Sequence, residues 1–169
     1  MIPKPIRPVL GGLAALAAGA CAVTPASPPV TYSGTPQEQW VQGQRAYEAW
    51  SAARRGWRVT GSGLQYRRLK AAGADAPRPA PGATVTIHYV GRFIDGREFD
   101  SSRRRGQPAT FPLPQLIRGW QEGVPMMRVG EVWAFVIPAP LAYGERSRDP
   151  IPPGSTLLFE IELVDIPGA

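Results

Sequence analysis

Two segments of this chain alternate between apolar and polar side chains, and this alternation constrains the fold more than any other feature. In residues 84–89, Val85, Ile87 and Tyr89 share one side, while threonine and histidine share the other. Residues 156–166 repeat the pattern, with leucine, isoleucine and phenylalanine on one side and glutamate on the other. A period of two predicts a β-strand with one buried face. The 20 prolines and 19 glycines favour turns and irregular connections over a helical bundle.

The remaining chain predicts more strands and one short helix. Asp95-Gly96 indicates a hairpin turn after the first alternating segment, because both residue types tolerate positive φ. Ile117 and Trp120 lie three positions apart, on one face of a predicted helical turn. Further strands are predicted at residues 57–60, 64–70 and 131–137, of which the last is apolar on both sides and therefore central. These elements predict an α+β fold, an antiparallel sheet wrapped around one short helix, with an extra N-terminal helix.

Large apolar side chains cluster between residues 84 and 120, and a single carboxylate, Asp100, is interleaved with the aromatic ones. A pocket lined in this way binds an apolar, ring-shaped group and orients it through few polar contacts. The segment offers no obvious nucleophile and no cluster of metal-ligating residues. On spacing alone, the alternative that these residues are ordinary core stays open. The residues concerned are Tyr89, Phe99, Phe111, Ile117 and Trp120.

Four motifs carry a resemblance to a known family. They are HYVGRFIDGREFDSS, LIRGWQEGV, AYGE and IPPGSTLLFEIELVDI, in this order and with short gaps. From about Leu64 to Ile166 the chain resembles the FKBP-type peptidyl-prolyl cis-trans isomerases. The resemblance implies an FKBP-like fold and an enzyme that accelerates rotation about X-Pro bonds. Because no bond is broken in that reaction, neither a metal nor a cofactor is expected. Macrolide ligands are also implied.

The resemblance implies a role for individual residues. The backbone N–H of Ile117 would meet one carbonyl of the bound ligand, and the Tyr143 hydroxyl would meet another. Asp100 would be the single carboxylate at the pocket edge, with the basic Arg105 near it. Trp120 would form the floor of the cavity. The other positions that would line the proline-binding cavity are Tyr89, Phe99, Phe111, Leu116, Ile151 and Phe159.

The chain departs from the family pattern in three places. Ala109 stands where many members carry an aromatic residue beside the cavity, which would open one wall. Residues 144–153 form a shorter loop than in the best-known members, and Arg146, Arg148 and an aspartate make it charged. Pro150 occupies a position that is often apolar and branched. The preference for partners and the strength of macrolide binding are therefore left open, and so is a non-catalytic module that recognises proline.

Residues 1–21 have the features of a targeting segment. Lys4 and Arg7 precede a short apolar run, which suits a signal peptide better than a membrane span of about 20 residues. The run ends in Ala-Gly-Ala-Cys, which resembles the bacterial lipobox and predicts lipidation of Cys21. The resulting lipoprotein would act on exported polypeptides at the periplasmic side of the cell envelope, with a weak preference for the outer membrane. The alternative is cleavage after Ala20, which would release a soluble periplasmic protein.

Residues 22–34, rich in Pro, Thr and Ser, predict a flexible linker. Thr35, Pro36 and Glu38 predict the start of a helix over residues 36–55, because they form a capping box with proline in the first turn. This helix, within residues 35–56, would pack against the isomerase domain of residues 57–169. The alternative is a small dimer contact, so that both a monomer and a weak dimer stay open.

The charge pattern argues against nucleic acid as a partner. The formal charge is +6, and the densest basic cluster, residues 103–105, lacks the interleaved aromatic residues typical of RNA-binding surfaces. It is predicted to be a solvated turn. His88, the only histidine, alternates away from Tyr89 and is predicted to be exposed, which argues against a general-base role. Ser101 and Ser102 have no triad partner.

Overall fold

A computed structural model describes residues 33–168 of the chain. It contains two α-helices, α1 at Pro36–Ala52 and α2 at Arg118–Gly123. Short 3-10 turns flank α2. Seven strands complete it, namely β1 Arg58–Val59, β2 Gln65–Lys70, β3 Thr84–Phe93, β4 Glu98–Ser101, β5 Ala109–Pro112, β6 Val132–Ile137 and β7 Leu157–Asp165.

The seven strands form one antiparallel sheet. Six of them follow the order β1-β2-β6-β7-β3-β4, and β5 pairs with β3 outside this order. Strand β3 pairs with β7 along one edge. Its other edge is shared by β5 at residues 84–87 and β4 at residues 90–92. Strand β6 lies between β2 and β7, which confirms that the doubly apolar segment is central. The predicted α+β class, with an antiparallel sheet around one short helix, is confirmed.

Helix α2 packs closely on one face of the sheet because two of its positions are glycine. A Cβ at Gly119 would lie 2.5 Å from Ile137 Cγ2, and one at Gly123 would lie 2.6 Å from Phe135 Cε1. The odd-numbered residues of β6 and β7 face this helix and form the main core, together with Leu64 and Val124. The close approach of α2 places Trp120 at the centre of the sheet's concave face.

Helix α1 covers the opposite face of the sheet. Tyr47 packs in a second cluster with Val136 and Leu158, the even-numbered neighbours of the core residues. Gln44 and Ser51 are buried at the same contact. The capping box at Thr35 and Glu38 is formed, which confirms the predicted start of the helix. The structure thus shows the helix packed against the sheet of its own chain.

Two details differ from the sequence-based expectations. Helix α1 ends at Ala52, because Ala53 to Gly56 turn back toward Trp57; Arg54 leaves the helix axis and lies over the Trp50 ring at 4.4 Å. Of the Asp95-Gly96 pair, only Gly96 adopts positive φ.

His88 is half-buried rather than exposed. Its Nδ1 lies 3.1 Å from the Ser102 hydroxyl, which the β3–β4 hairpin brings alongside the strand. Ser101 and Ser102 are themselves buried. Ser102 accepts a hydrogen bond from the Tyr89 N–H at 2.8 Å. These serines therefore fix the hairpin, and the sequence had left their role without a structural assignment.

The basic cluster at residues 103–105 is an exposed turn, as predicted. Each arginine pairs with a carboxylate: Arg103 with Glu162, Arg104 with Glu98 and Arg105 with Asp100. Pairs of this kind at a surface contribute little to stability. Because their charges are already matched, these arginines present no open cationic patch.

The predicted signal peptide, the lipidation site Cys21 and most of the linker at residues 22–34 lie outside the described residues. Within residues 33–168, none of the helices combines the length and the apolar character that crossing a bilayer would require.

Candidate functional site

A cleft of about 560 Å³ opens between α2, the concave face of the sheet and the loop that joins β6 to β7. A volume in this range is typical of small-ligand sites. A second cavity, between α1 and the sheet, measures about 20 Å³, room for about one water. The residues that line the cleft are Tyr89, Phe99, Asp100, Phe111, Gln115, Leu116, Ile117, Arg118, Trp120, Ala142, Tyr143, Arg148 and Phe159.

Aromatic rings form the inner surface of the cleft. The Trp120 ring lies edge-on to Phe159 at 5.0 Å and to Tyr89 at 5.2 Å between ring centroids. Phe99 meets Phe159 edge-on at 5.7 Å. Such perpendicular pairs are favourable and hold each ring in one orientation. The arrangement is a rigid apolar floor, suited to a compact ring such as that of proline.

Gly91 allows two of these rings to meet. It lies in β3 beside Phe99 and Phe159, and a Cβ at this position would lie 2.7 and 2.8 Å from atoms of those rings. The pairing of Gly91 with Asp100 across the β3–β4 ladder then presents the carboxylate at the edge of the same cleft. One glycine therefore positions both the aromatic wall and the acidic group.

The polar part of the cleft is a network of three side chains. The Tyr89 hydroxyl donates to Asp100 Oδ2 at 2.5 Å, and Arg105 donates from Nη1 to Asp100 Oδ1 at 2.5 Å. Arg105 also donates from Nη2 to the Tyr89 hydroxyl at 2.8 Å. Each member of the network thus contacts the other two. The network holds the carboxylate in one position at the edge of the aromatic floor.

The network sets the charge state of its members. Partial burial alone would raise the pKa of Asp100, but hydrogen bonds from Tyr89 and Arg105 and the charge of Arg105 outweigh it, so the pKa lies below its usual value. Burial, followed by the hydrogen bond to Asp100, raises the pKa of Tyr89. At neutral pH the site therefore holds an ionised carboxylate, a neutral phenol and a guanidinium.

Three hydrogen-bond donors at the cleft have no acceptor within residues 33–168. They are the backbone N–H of Ile117, the hydroxyl of Tyr143 and the buried indole N–H of Trp120. Ile117 precedes α2 in an extended conformation, so its N–H lies outside the helical hydrogen bonding. A buried donor without a partner costs about 1–3 kcal/mol. Open donors beside an apolar floor are what a ligand carbonyl requires.

Most of the residues predicted for the site line the cleft, and two do not. Arg105 lies beside it, in contact with Asp100 and Tyr89, rather than on its wall. Ile151 was expected to line the cavity, but this buried core residue is not among the residues that form the cleft wall. The physical reason is a tight turn in which Arg148 and Ile151 pair with each other. This turn directs Arg148 to the cleft and Ile151 inward.

Four lining residues were not predicted as site residues. Gln115 and Arg118 flank the Leu116-Ile117 pair, and Ala142 precedes Tyr143 in the chain, so their adjacency to predicted positions was a usable signal. Arg148 had no such signal, because it reaches the cleft only through the turn of its loop. Ala109, predicted to open one wall, pairs with Ile87 in the sheet and does not line the cleft.

The family of the chain follows from its sequence. Residues 76–164, more than half of the 169, match the model of the FKBP-type peptidyl-prolyl cis-trans isomerases. This chain belongs to the FKBP-type peptidyl-prolyl cis-trans isomerase family. The aromatic cleft and its polar network lie within the matched segment. The family membership that the four motifs predicted is therefore confirmed.

Individual FKBP-type relatives agree with this assignment. An FKBP-type peptidyl-prolyl cis-trans isomerase FkpA from Aeromonas hydrophila is 46% identical over 120 residues, which are 71% of this chain and 44% of the relative. An outer membrane protein MIP from Legionella longbeachae is 44% identical over 109 residues, 64% of this chain and 46% of the relative. The chain thus spans less than half of the length of these two relatives.

A solved structure matches more completely. The crystal structure of a peptidyl-prolyl cis-trans isomerase from Pseudomonas syringae superimposes with a TM-score of 0.71 at 33% identity. The match covers 80% of this chain and 98% of that one. The FKBP fold described above is therefore found in a protein of which this chain covers nearly the whole length.

Proposed function

We propose that this chain is a peptidyl-prolyl cis-trans isomerase that accelerates rotation about X-Pro bonds. One observation carries the proposal: an apolar cleft floored by Trp120 and bordered by open donors at Ile117 and Tyr143. Membership of the FKBP-type family supports it. The substrate would be a proline-containing polypeptide, and macrolides that occupy the same cleft would be competitors.

The reaction demands little chemistry from the protein. Rotation about the peptide bond crosses a barrier of about 18–20 kcal/mol, because the planar amide has partial double-bond character. An aromatic floor that excludes water disfavours the charge-separated planar amide relative to the twisted one. Donors placed for the twisted geometry then bind the transition state more tightly than the ground state. Each 1.36 kcal/mol gained in this way is worth tenfold in rate.

The proposed roles follow the geometry of the cleft. The proline ring would lie on Trp120, between the walls that Tyr89 and Phe99 supply. Carbonyl groups on either side of it would accept hydrogen bonds from the Ile117 N–H and the Tyr143 hydroxyl. The ionised Asp100 is held in one position by Arg105. Its negative charge would therefore give a constant electrostatic field at the cleft edge while the amide twists.

The test is cis-trans exchange of an X-Pro peptide in the presence of the purified protein. We expect acceleration by the wild type and a loss of roughly twofold to tenfold in kcat/KM for Tyr143→Phe, which corresponds to one hydrogen bond. Asp100→Ala is expected to reduce kcat/KM as well. Asp75→Ala, in an exposed loop away from the cleft, is the matched control. Saturable peptide binding without acceleration would instead indicate a non-catalytic module that recognises proline.

We further propose that the chain acts in the bacterial cell envelope on exported polypeptides. The proposal depends on residues 1–21, with their basic start and apolar run, and on Cys21 after Ala-Gly-Ala. A relative named as an outer membrane protein supports the compartment. In this proposal the targeting segment at residues 1–21 is cleaved directly before Cys21, which is lipidated. Residues 22–34 form a tether, residues 35–56 form the helix and residues 57–169 form the isomerase domain.

Expression of the full chain in a bacterium tests the anchor. Lipidation predicts that the protein partitions into the detergent phase and labels with a fatty-acid probe, and that Cys21→Ser abolishes both. The same isomerase activity in the soluble fraction for wild type and variant would show that the chain is released by ordinary cleavage instead. Ala22→Ser, next to the cysteine, is the matched control.

A further inference from the structure

Two arginines on the border of the cleft have no carboxylate partner within residues 33–168. Arg118 is the first residue of α2 and Arg148 lies in the loop between β6 and β7; both line the cleft and both are exposed. Neither forms an ion pair there, whereas each arginine at residues 103–105 does. Their charges are therefore available to a ligand.

The cleft holds no acidic group that could balance these charges. Asp100 is the only carboxylate among the lining residues, and Arg105 already neutralises it in the contact at 2.5 Å. The border of the cleft therefore has a net positive charge. An acidic ligand group would be attracted to it and a basic one repelled.

Each arginine also stands next to one of the open donors. Arg118 directly follows Ile117, whose N–H has no acceptor in the described part of the chain. The Arg148 guanidinium lies over the Tyr143 ring, with Cζ 5.1 Å from the centroid, a cation–π contact that holds it beside the hydroxyl-bearing residue. A peptide that hydrogen-bonds to both donors would carry its neighbouring side chains past both guanidinium groups.

We propose that Arg118 and Arg148 make this site selective for proline segments flanked by aspartate or glutamate. The proposal rests on the proposed function for the location of the peptide, and it adds the class of sequence that the cleft prefers. The attraction is that of exposed ion pairs, which corresponds to roughly a twofold to fivefold preference for each arginine. It weakens as ionic strength rises, because exposed charges are screened by salt.

The experiment compares peptides Ala-Xaa-Pro-Phe and Ala-Ala-Pro-Xaa in which Xaa is Glu, Gln or Lys. Both kcat/KM and the dissociation constant are measured at low and at high salt. We expect the order Glu, then Gln, then Lys in at least one series, with differences that shrink at high salt. Arg118→Gln and Arg148→Gln are each expected to reduce the Glu-to-Lys ratio by roughly twofold to fivefold.

Arg146→Gln is the matched control, because Arg146 is exposed in the same loop but does not line the cleft; it should leave the ratio unchanged. Equal kcat/KM and dissociation constants for the Glu, Gln and Lys peptides would overturn the proposal. So would a Glu-to-Lys ratio that falls as much in Arg146→Gln as in Arg118→Gln and Arg148→Gln. If no peptide is accelerated, the proposed isomerase fails, but the dissociation constants still decide whether the border selects acidic peptides.

Discussion

The two faces of the sheet differ in the hydrogen bonding of their polar groups and in the space beside them. On the face that α1 covers, the buried Gln44 accepts a hydrogen bond from the Thr156 N–H at 2.9 Å, and the buried Ser51 donates to Gln65 at 2.6 Å. On the concave face, the buried indole N–H of Trp120 has no partner within residues 33–168. Both surfaces are covered by a helix, and the face under α1 also holds one buried donor without a partner in the described residues, Arg67 Nε. The faces differ in that only the second opens into a cleft with donors at its border.

The difference separates a structural contact from a ligand site. Buried polar groups are normally hydrogen-bonded, because an unpaired one costs about 1–3 kcal/mol. Under α1 the buried Gln44 and Ser51 are hydrogen-bonded, and the remaining space is about 20 Å³. Under α2 the space is about 560 Å³, and the donors that border it have no acceptor within residues 33–168. A hydrogen bond from a ligand to an exposed donor of the cleft replaces one to water and contributes about 0.5–1.5 kcal/mol net.

The largest expected effect tests the close packing of α2. Gly119→Ala places a methyl group 2.5 Å from Ile137 Cγ2, and Ile137 is fully buried and cannot move aside. We expect a loss of about 2–3 kcal/mol in the free energy of unfolding, measured by urea denaturation. Gly61→Ala is the control, because a Cβ there meets nothing within 4 Å. Equal stability of the two variants would show that α2 can shift without cost.

The next effect tests the satisfied polar contact under α1. Gln44→Ala leaves the buried Thr156 N–H without an acceptor, so we expect a loss of about 1–2 kcal/mol in the free energy of unfolding. Gln37→Ala, exposed on the same helix, is expected to change stability by less than about 0.5 kcal/mol. An unchanged free energy of unfolding for Gln44→Ala would mean that water replaces the lost acceptor. The contact between α1 and the sheet would then be accessible to water.

A smaller effect concerns the polar network of the cleft at acid pH. Because the folded pKa of Asp100 is lowered, the carboxylate contributes stability above its unfolded pKa of about 3.9, and this contribution is lost as pH falls through the folded pKa. Asp100 is 40% exposed, so the contribution is below about 1 kcal/mol. Thermal unfolding of Asp100→Asn between pH 7 and pH 2 should show a shallower acid decline than wild type. An identical decline would place the acid sensitivity elsewhere.

The last effect is absent at neutral pH, appears only at alkaline pH and concerns Tyr47 under α1. Burial raises its pKa to about 12, so its contribution to stability is complete below the unfolded pKa of about 10 and is lost as pH rises through 12. Tyr47→Phe should therefore lose less stability than wild type between pH 10 and pH 12, in a titration followed by circular dichroism. The opposite order, with the variant more alkali-sensitive, would contradict a buried neutral phenol.

Local sequence patterns predicted much of this fold. The alternation at residues 84–89 predicted β3, and the alternation that includes Phe159 predicted β7. Thr35 and Glu38 predicted the start of α1. Each of these signals is local, because strand periodicity and helix capping depend on residues a few positions apart. The motifs around Asp100 and Ile117 also predicted most of the cleft lining.

Contacts between distant segments decided the rest. The end of α1 depends on the turn that follows it and on how Arg54 packs, which the helix pattern does not contain. Arg148 lines the cleft and Ile151 does not, and this difference depends on a turn within an irregular loop. The sequence by itself determined most of the strands, the start of α1 and the aromatic content of the cleft, but not β5 at Ala109–Pro112. Only the tertiary structure decided which donors stay open and which arginines border them, because both depend on partners that are far apart in the chain.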